Sequence, residues 1–220
     1  MANIKQLTKQ QALDVLEHIW ESYEDYGSSR LVHAIKYDEK YYAVKIIADN
    51  QGRHQNRTEV ELFEQHGDEK FLNPIRWAYK DLMIICDYVY PIDYDLVDAA
   101  YNRGPDEFYE MCNDWFECDY TYEEAEQLGA EISYVVNCLE NYQGETSDNY
   151  QIGYNENGFG IGKKCVVAYD YGYTSGVSNS IQVGSIYRYL PNSCDDDESN
   201  VYEIMKELIL AEEENTDEWK

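Results

Sequence analysis

Residues 30–48, RLVHAIKYDEKYYAVKIIA, contain two runs of strand-forming residues on either side of a polar turn. β-Branched and aromatic side chains recur in both runs, as is typical of paired strands. The turn, Tyr37 to Lys40, is short and charged and has no glycine. The segment therefore predicts a β-hairpin whose second strand carries Lys45.

A helix is predicted on each side of this hairpin. Residues 7–22 repeat apolar side chains at helical spacing, and Thr8 is in the position of an N-cap. After the polar stretch that follows the hairpin, residues 58–66 predict a second helix, with Thr58 as N-cap and Glu61 as its capping-box partner.

The rest of the sequence predicts further strands and helices. A second hairpin is expected from 72–79 and 82–90, with Pro91 ending it. The later elements are helices over 95–101, 105–116, 121–142 (capped by Thr121) and 199–213, and a strand over 165–169 within the glycine-rich tract 143–180. This order predicts an α+β fold.

The charge of the chain restricts its partners. Lys and Arg number 17 against 44 Asp and Glu, so the formal net charge is -27. A negative field of this size repels nucleic acid and anionic membranes and attracts basic proteins. Because 44% of the residues are hydrophobic, the chain should nevertheless fold.

The cysteines and the apolar residues indicate a compartment. None of the six cysteines forms a C-x-x-C pair, no leader-like segment follows Met1, and no apolar run approaches the roughly 20 residues that span a bilayer. We therefore expect a cytoplasmic protein that is neither secreted nor embedded in a membrane.

Four pieces of the sequence, in this order, resemble the protein kinase family. Tyr42-Ala43-Val44-Lys45-Ile46 is similar to the V-A-I-K strand, and Glu59 or Glu61 of the next helix could hold its lysine. Leu82 to Val89 lies where a kinase has its last small-lobe strand and hinge. Asp170-Tyr171-Gly172 looks like the D-F-G motif.

The resemblance implies a two-lobed, protein-kinase-like fold in a single domain, 1–220. It would have an N-lobe-like part (1–89), a reduced C-terminal lobe (90–213) and a tail (214–220). It also implies a site for ATP and Mg²⁺. Lys45, a glutamate of the following helix, Asn149 and Asp170 would bind the nucleotide, and Asn149 and Asp170 would hold the metal.

The sequence departs from the family where catalysis is concerned. If Val32 is aligned with the valine of the glycine-rich loop, Asp25 and Arg30 replace two of its three glycines. If Asn149 is the metal-binding asparagine, Gly144 replaces the catalytic aspartate, and Glu145 and Asp148 are weak substitutes at the wrong offset.

No A-P-E segment follows Gly172. The resemblance is thus to a small, degenerate pseudokinase, of the kind that a phage or mobile element could carry.

Three hypotheses follow. In the first, an acidic pseudokinase-like protein binds a basic, nucleic-acid-binding protein and inhibits or regulates it. In the second, the chain is an atypical active ATP- and Mg²⁺-dependent kinase. In the third, it is a DNA mimic or adaptor that binds no nucleotide.

Overall fold

Two β-sheets and six helices make up the described part of the chain. The computed structural model describes residues 6–19, 23–26, 29–67, 71–116, 121–143, 151–155, 165–170 and 199–216. The strands are Tyr23–Tyr26 (β1), Arg30–Tyr37 (β2), Lys40–Ile47 (β3), Ile75–Tyr79 (β4), Met83–Asp87 (β5), Tyr90–Pro91 (β6), Gln151–Asn155 (β7) and Cys165–Asp170 (β8). The helices are Lys9–Glu17 (α1), Asn50–His66 (α2), Tyr94–Asn102 (α3), Pro105–Phe116 (α4), Tyr122–Gln143 (α5) and Ser199–Thr216 (α6). The protein is a mixed α/β structure with antiparallel sheets.

The hairpin predicted from residues 30–48 is confirmed. Strands β2 and β3 pair antiparallel, with Val32 opposite Lys45. Asp38 and Glu39 have φ values of 48° and 60°, so both central residues of the turn lie in the left-handed region that a type I′ hairpin turn requires. The larger sheet has the order β1-β2-β3-β5-β4, which makes β3 its central strand.

The prediction that a helix starts at Thr58 is wrong, because α2 begins eight residues earlier, at Asn50. The carboxylate of Asp49 accepts a hydrogen bond from the Gly52 N–H at 2.8 Å and satisfies a donor of the first helical turn. Thr58 therefore lies within the helix rather than at its end. The polar stretch 50–57 has the composition of a loop, but Asn56 is buried.

Helix α1 starts as predicted and ends early. Thr8 and Gln11 form a capping box, with the Gln11 N–H donating to Thr8 Oγ1 at 3.2 Å. The prediction of helix up to residue 22 is wrong within the described residues, since α1 ends at Glu17. The His18 N–H donates to Val15 O, three residues back in the chain rather than the four of an α-helix. This 3₁₀-type bond closes the last turn.

The second hairpin is confirmed with shorter strands. Strand β4 begins only after Pro74, and Leu72 instead forms a parallel bridge to Ala168 of β8. Pro91 does not end the hairpin but belongs to β6, which pairs with β7 in a sheet of order β6-β7-β8. A proline is tolerated there because β6 is an edge strand.

The four later helices are confirmed within one to three residues at each end. Thr121 caps α5 through a capping box, in which the Glu124 N–H donates to Thr121 Oγ1 at 3.2 Å and the Thr121 N–H donates to Glu124 Oε2 at 2.8 Å. Helix α6 continues three residues beyond the predicted end, to Thr216.

The described residues form two compact units. The sheet unit comprises the described residues of 6–57, 75–86 and 199–216, and the helical unit comprises the described residues of 58–74 and 87–170. Helix α2 contributes its first eight residues to the sheet unit and the rest to the helical unit.

Each unit has its own apolar core. In the sheet unit, α1 and α6 supply Leu16 and Met205 to a core that includes Val44 and Ile46 of β3. In the helical unit, α3, α4 and α5 pack with Phe71, Leu72 and the strands β7 and β8. Burial of these side chains is the main stabilising contribution in each unit.

Candidate functional site

Lys45 lies in the central strand of the larger sheet and is 3% exposed. Its neighbours Val44 and Ile46 belong to the core of the sheet unit, so strand alternation places Lys45 on the opposite face. The register places Val32 beside it on that face. A lysine at this depth is stabilised by a hydrogen-bonding or ionic partner, so this face of β3 is the candidate site to which the resemblance assigns Lys45.

The two glutamates that the resemblance left open differ in burial. Glu59 is 1% exposed, whereas Glu61 is exposed. Two residues along a helix are about 200° apart around its axis, so the two side chains leave α2 on different sides. Burial therefore favours Glu59 as the residue of α2 that holds a charge inside the protein. Lys45 belongs to the sheet unit and Glu59 to the helical unit.

Asp170 is the last residue of β8. Its backbone is opposite Gln151, the first residue of β7. Three other predicted site residues, Glu145, Asp148 and Asn149, lie outside the described residues.

A buried cluster of three polar side chains lies in the helical unit and was not predicted. Asn155 Nδ2 donates to Asn73 Oδ1 at 3.0 Å and to Asp87 Oδ2 at 3.1 Å. Asn73 Nδ2 donates to the Asp87 carbonyl at 2.7 Å. The residues are separated by 14, 68 and 82 positions in the sequence, so no local pattern could reveal the cluster.

The backbone N–H and carbonyl of Asp87 are also hydrogen-bonded at this cluster. The Asp87 N–H donates to Pro74 O at 3.1 Å, and its carbonyl accepts from Asn73. In the segment that the resemblance treats as a hinge, both backbone groups of this residue are thus hydrogen-bonded within the protein. Such a satisfied network orders the end of β5.

A second polar network lies at the start of α2 in the sheet unit. Arg53 Nε and Arg57 Nη2 lie 2.8 and 2.6 Å from the Asp81 carboxylate, in the turn between β4 and β5. Burial alone would raise the pKa of Asp81, but hydrogen bonds from Arg53 and Arg57 outweigh it and lower that pKa to about 2. Arg30 extends the network, since its Nη1 donates to Asn56 Oδ1 at 3.2 Å.

Two tyrosines on the surface of the helical unit donate to carboxylates of neighbouring helices. Tyr101 of α3 donates to Glu140 Oε2 of α5 at 2.8 Å. Tyr122 of α5 donates to Asp106 Oδ1 of α4 at 3.0 Å. The hydrogen bond to the carboxylate is the largest cause that raises the pKa of each phenol, so both remain neutral donors at physiological pH.

Neither a metal-binding cluster nor a membrane-spanning helix is found among the described residues. In the part of the chain that the structure describes, no three His, Cys, Asp or Glu residues are grouped so that they could hold a metal ion. No helix within the same ranges has both the length and the apolar character needed to cross a membrane.

Comparison with known proteins gives one weak likeness. No protein family matches the sequence, and no curated protein matches it. Among solved structures, the chain is similar to the crystal structure of the Mycobacterium tuberculosis PknI kinase domain, with a TM-score of 0.30 and 12% identity. The match covers 68% of this chain and 57% of that chain, so the chain spans just over half of the domain it resembles. This likeness is too slight to assign a family.

Proposed function

We propose that this chain is an acidic, pseudokinase-like protein that binds a basic protein and inhibits or regulates it. The observation that carries the proposal is the charge of helices α3 to α5. Residues 87–143 contain fifteen Asp and Glu but a single basic residue, Arg103. Most of these carboxylates are exposed, among them Glu110, Asp114, Glu123 and Glu126.

Such a surface suits a partner whose natural ligand is a nucleic acid. Carboxylates arrayed on a rigid helical scaffold present a dense negative potential, which accelerates association with a basic protein and competes for its phosphate-binding groups. The attraction is screened by salt, with a Debye length of about 10 Å at 0.1 M. Binding should therefore weaken strongly as ionic strength rises.

The pseudokinase part of the proposal is a two-lobed, kinase-like arrangement with a reduced second lobe. It is supported by the order of the elements: a hairpin with Lys45 on its second strand, a helix with the buried Glu59, a second hairpin, and later a hairpin ending at Asp170. Gly144 at the expected base position supports the loss of catalysis. A phage or mobile-element origin and a cytoplasmic setting, which the cysteine spacing favours, belong to the same proposal.

The test is salt-dependent capture followed by competition. Proteins bound by the immobilised chain at 50 mM salt and released at 500 mM would be identified, purified, and assayed for displacement from DNA by the chain. Glu110→Lys/Glu126→Lys should weaken binding about tenfold, whereas Glu203→Lys/Glu207→Lys, with the same charge change on exposed residues of α6, should retain most of it.

Three results would count against the proposal. If no basic protein is captured at low salt, the inhibitor hypothesis fails. If a partner binds but keeps its DNA, the adaptor hypothesis replaces it. Equal losses in the two charge-reversal variants would show that net charge, rather than the α3 to α5 surface, drives binding.

An active ATP- and Mg²⁺-dependent kinase is the second candidate, favoured by the burial of both Lys45 and Glu59. A nucleotide that binds only the folded chain, at 100 times its Kd, would stabilise the chain by about 2.7 kcal/mol. Thermal unfolding with ATP and Mg²⁺ tests this candidate, with Lys45→Ala and Asp170→Ala as variants expected to abolish the shift. Absence of any shift in the native chain would eliminate it.

A further inference from the structure

Exposed tyrosine rings distinguish the surface of the helical unit from a plain acidic surface. Tyr94, Tyr101 and Tyr122 are 66%, 38% and 44% exposed. Tyr94 and Tyr101 are seven residues apart on α3 and so share one side of that helix. Large aromatic rings left in water among carboxylates are characteristic of recognition surfaces rather than of a surface that only confers solubility.

Two of these rings are paired with a carboxylate. We call Tyr101 with Glu140 and Tyr122 with Asp106 the tyrosine–carboxylate pairs. Glu140 and Tyr122 both lie on α5, 18 residues apart, which is five helical turns. They therefore lie on the same side of α5, with a separation of about 27 Å along its axis.

The chemistry of each pair matches a guanidinium group. The phenol donates to one carboxylate oxygen, so the carboxylate keeps lone pairs that can accept a second donor. The adjacent ring offers a face on which a flat cation can stack. An arginine can stack and donate through its planar fork at once, whereas a lysine ammonium is a compact, strongly hydrated point charge.

Helices α3 to α5 have little basic charge of their own to fill these positions. Arg103 is the one Lys or Arg of residues 87–143, and it is bound by Asp98 at 3.0 Å and by Glu107 at 2.9 Å. A partner that carries cations would complement the charge of this surface.

We propose that the tyrosine–carboxylate pairs are arginine-binding positions, and that the basic partner docks an arginine-rich segment along α5. This inference rests on the proposed function and adds to it a preference for arginine over lysine. An extended segment covers about 3.3 Å per residue, so eight or nine residues would reach from one pair to the other.

The experiment compares two defined probes, deca-arginine and deca-lysine, with the full chain by titration calorimetry at 100 mM salt. Native protein should bind deca-arginine about tenfold more tightly than deca-lysine. Tyr101→Ser/Tyr122→Ser should remove this preference. Tyr134→Ser, which alters an exposed tyrosine about 120° away from Tyr122 around α5, should preserve it.

A further double variant tests the carboxylates of the pairs, and a folding check ensures that lost binding is not caused by misfolding. Glu140→Gln/Asp106→Asn keeps the rings and lowers the affinity for both probes, while circular dichroism checks that each variant is folded. Tetra-arginine, which is too short to reach both pairs, should bind at least tenfold more weakly than deca-arginine.

The outcomes separate this inference from the proposed function. If both decapeptides bind equally and the tyrosine variants change nothing, the surface is a general polycation binder and the arginine positions are disproved, while the proposed function survives. If neither peptide binds at 100 mM salt, both fail.

Discussion

Gly153 lies where two strands of the smaller sheet approach each other closely. A Cβ atom on this residue of β7 would lie 2.4 Å from the Tyr90 carbonyl and 2.5 Å from Val89 Cγ1. Both distances are well inside van der Waals contact, and the first involves backbone, which cannot rotate away. The position therefore tolerates only glycine.

Gly153→Ala should destabilise the chain by about 2–3 kcal/mol, because β6 and β7 must separate to accept the methyl group. Urea unfolding followed by circular dichroism measures the loss. Gly104→Ala is the control, since nothing lies within 4 Å of a Cβ at that position, and it should cost less than about 1 kcal/mol. Equal losses in both variants would contradict the steric explanation.

Asp81 links the first half of α2 to the turn between β4 and β5. Its negative charge contributes most to the free energy of unfolding at pH values above its ordinary pKa. The pKa is lowered from 3.8 to about 2 in the folded chain, so the unfolded chain binds the proton more readily. The stabilisation is therefore fully present above about pH 4 and is lost as the pH falls through about 2. Because Arg57 is half exposed, we expect a contribution of about 1–2 kcal/mol.

Asp81→Asn should lower the free energy of unfolding by that amount at pH 7. The deficit relative to the native chain should shrink as the pH falls from 4 to 2, because the native carboxyl is then also neutral. Chemical unfolding at several pH values measures it. A deficit that stays constant down to pH 2 would mean that shape, rather than charge, matters at this position.

Among the elements, α6 holds a position in the sheet unit that only tertiary contacts explain. Ile204, Met205 and Ile209 join the core formed with α1 and the sheet, and the Tyr79 hydroxyl donates to Leu208 O at 3.0 Å. This bond joins residues 129 positions apart. The helix is therefore part of the core of the sheet unit.

Met205→Ala should cost about 2–4 kcal/mol, because this side chain is 1% exposed and its removal leaves a cavity. Leu210→Ala is the matched control on the same helix, since Leu210 is 49% exposed and its loss should cost less than about 1 kcal/mol. Thermal and urea unfolding measure both. A small loss for Met205→Ala would mean that α6 is peripheral to the core.

Elements whose signals are local were predicted well from the sequence. The capping boxes at Thr8 and Thr121 and the turn at Asp38 depend on residues within a few positions of one another. The start of α2 was missed because its cap, Asp49, precedes a stretch with the composition of a loop. Buried residues within that stretch, such as Asn56, which accepts a hydrogen bond from Arg30, stabilise it as helix, and burial is a tertiary property.

The same contrast between local and tertiary signals applies to the residues of the candidate site. The strand that carries Lys45 was predicted from its pattern, and the role of Lys45 was implied by the resemblance to the V-A-I-K strand, but the choice between Glu59 and Glu61 required burial, which is a tertiary property. The cluster of Asn73, Asp87 and Asn155 depends on contacts between distant segments and could not be predicted at all. Local periodicity predicts elements, whereas polar networks depend on how the elements pack.

At the scale of the whole molecule, charge is the dominant feature. A formal charge of -27 implies repulsion among carboxylates throughout the folded chain, and unfolding relieves part of it. The repulsion acts over about 10 Å at 0.1 M salt and over shorter distances at higher salt.

Raising KCl from 10 to 500 mM should therefore raise the melting temperature by several degrees. Differential scanning calorimetry measures the change, and Glu110→Lys/Glu126→Lys should show a smaller rise because it begins with less repulsion. A melting temperature that does not depend on salt would show that repulsion among the carboxylates, through their spacing or hydration, has no net effect on the stability of the fold.

Segments of the two units alternate along the sequence, so neither unit is synthesised in one continuous stretch. The sheet unit takes described residues from 6–57, then 75–86, and finally 199–216, after all eight of the described strands have been made. A ribosome therefore delivers α1 and the larger sheet well before α6, the later of the two described helices that supply this core, whereas α3 to α5 can pack together as they emerge. During that interval the acidic charge of the nascent chain would also serve to keep the incomplete core of the sheet unit from aggregating.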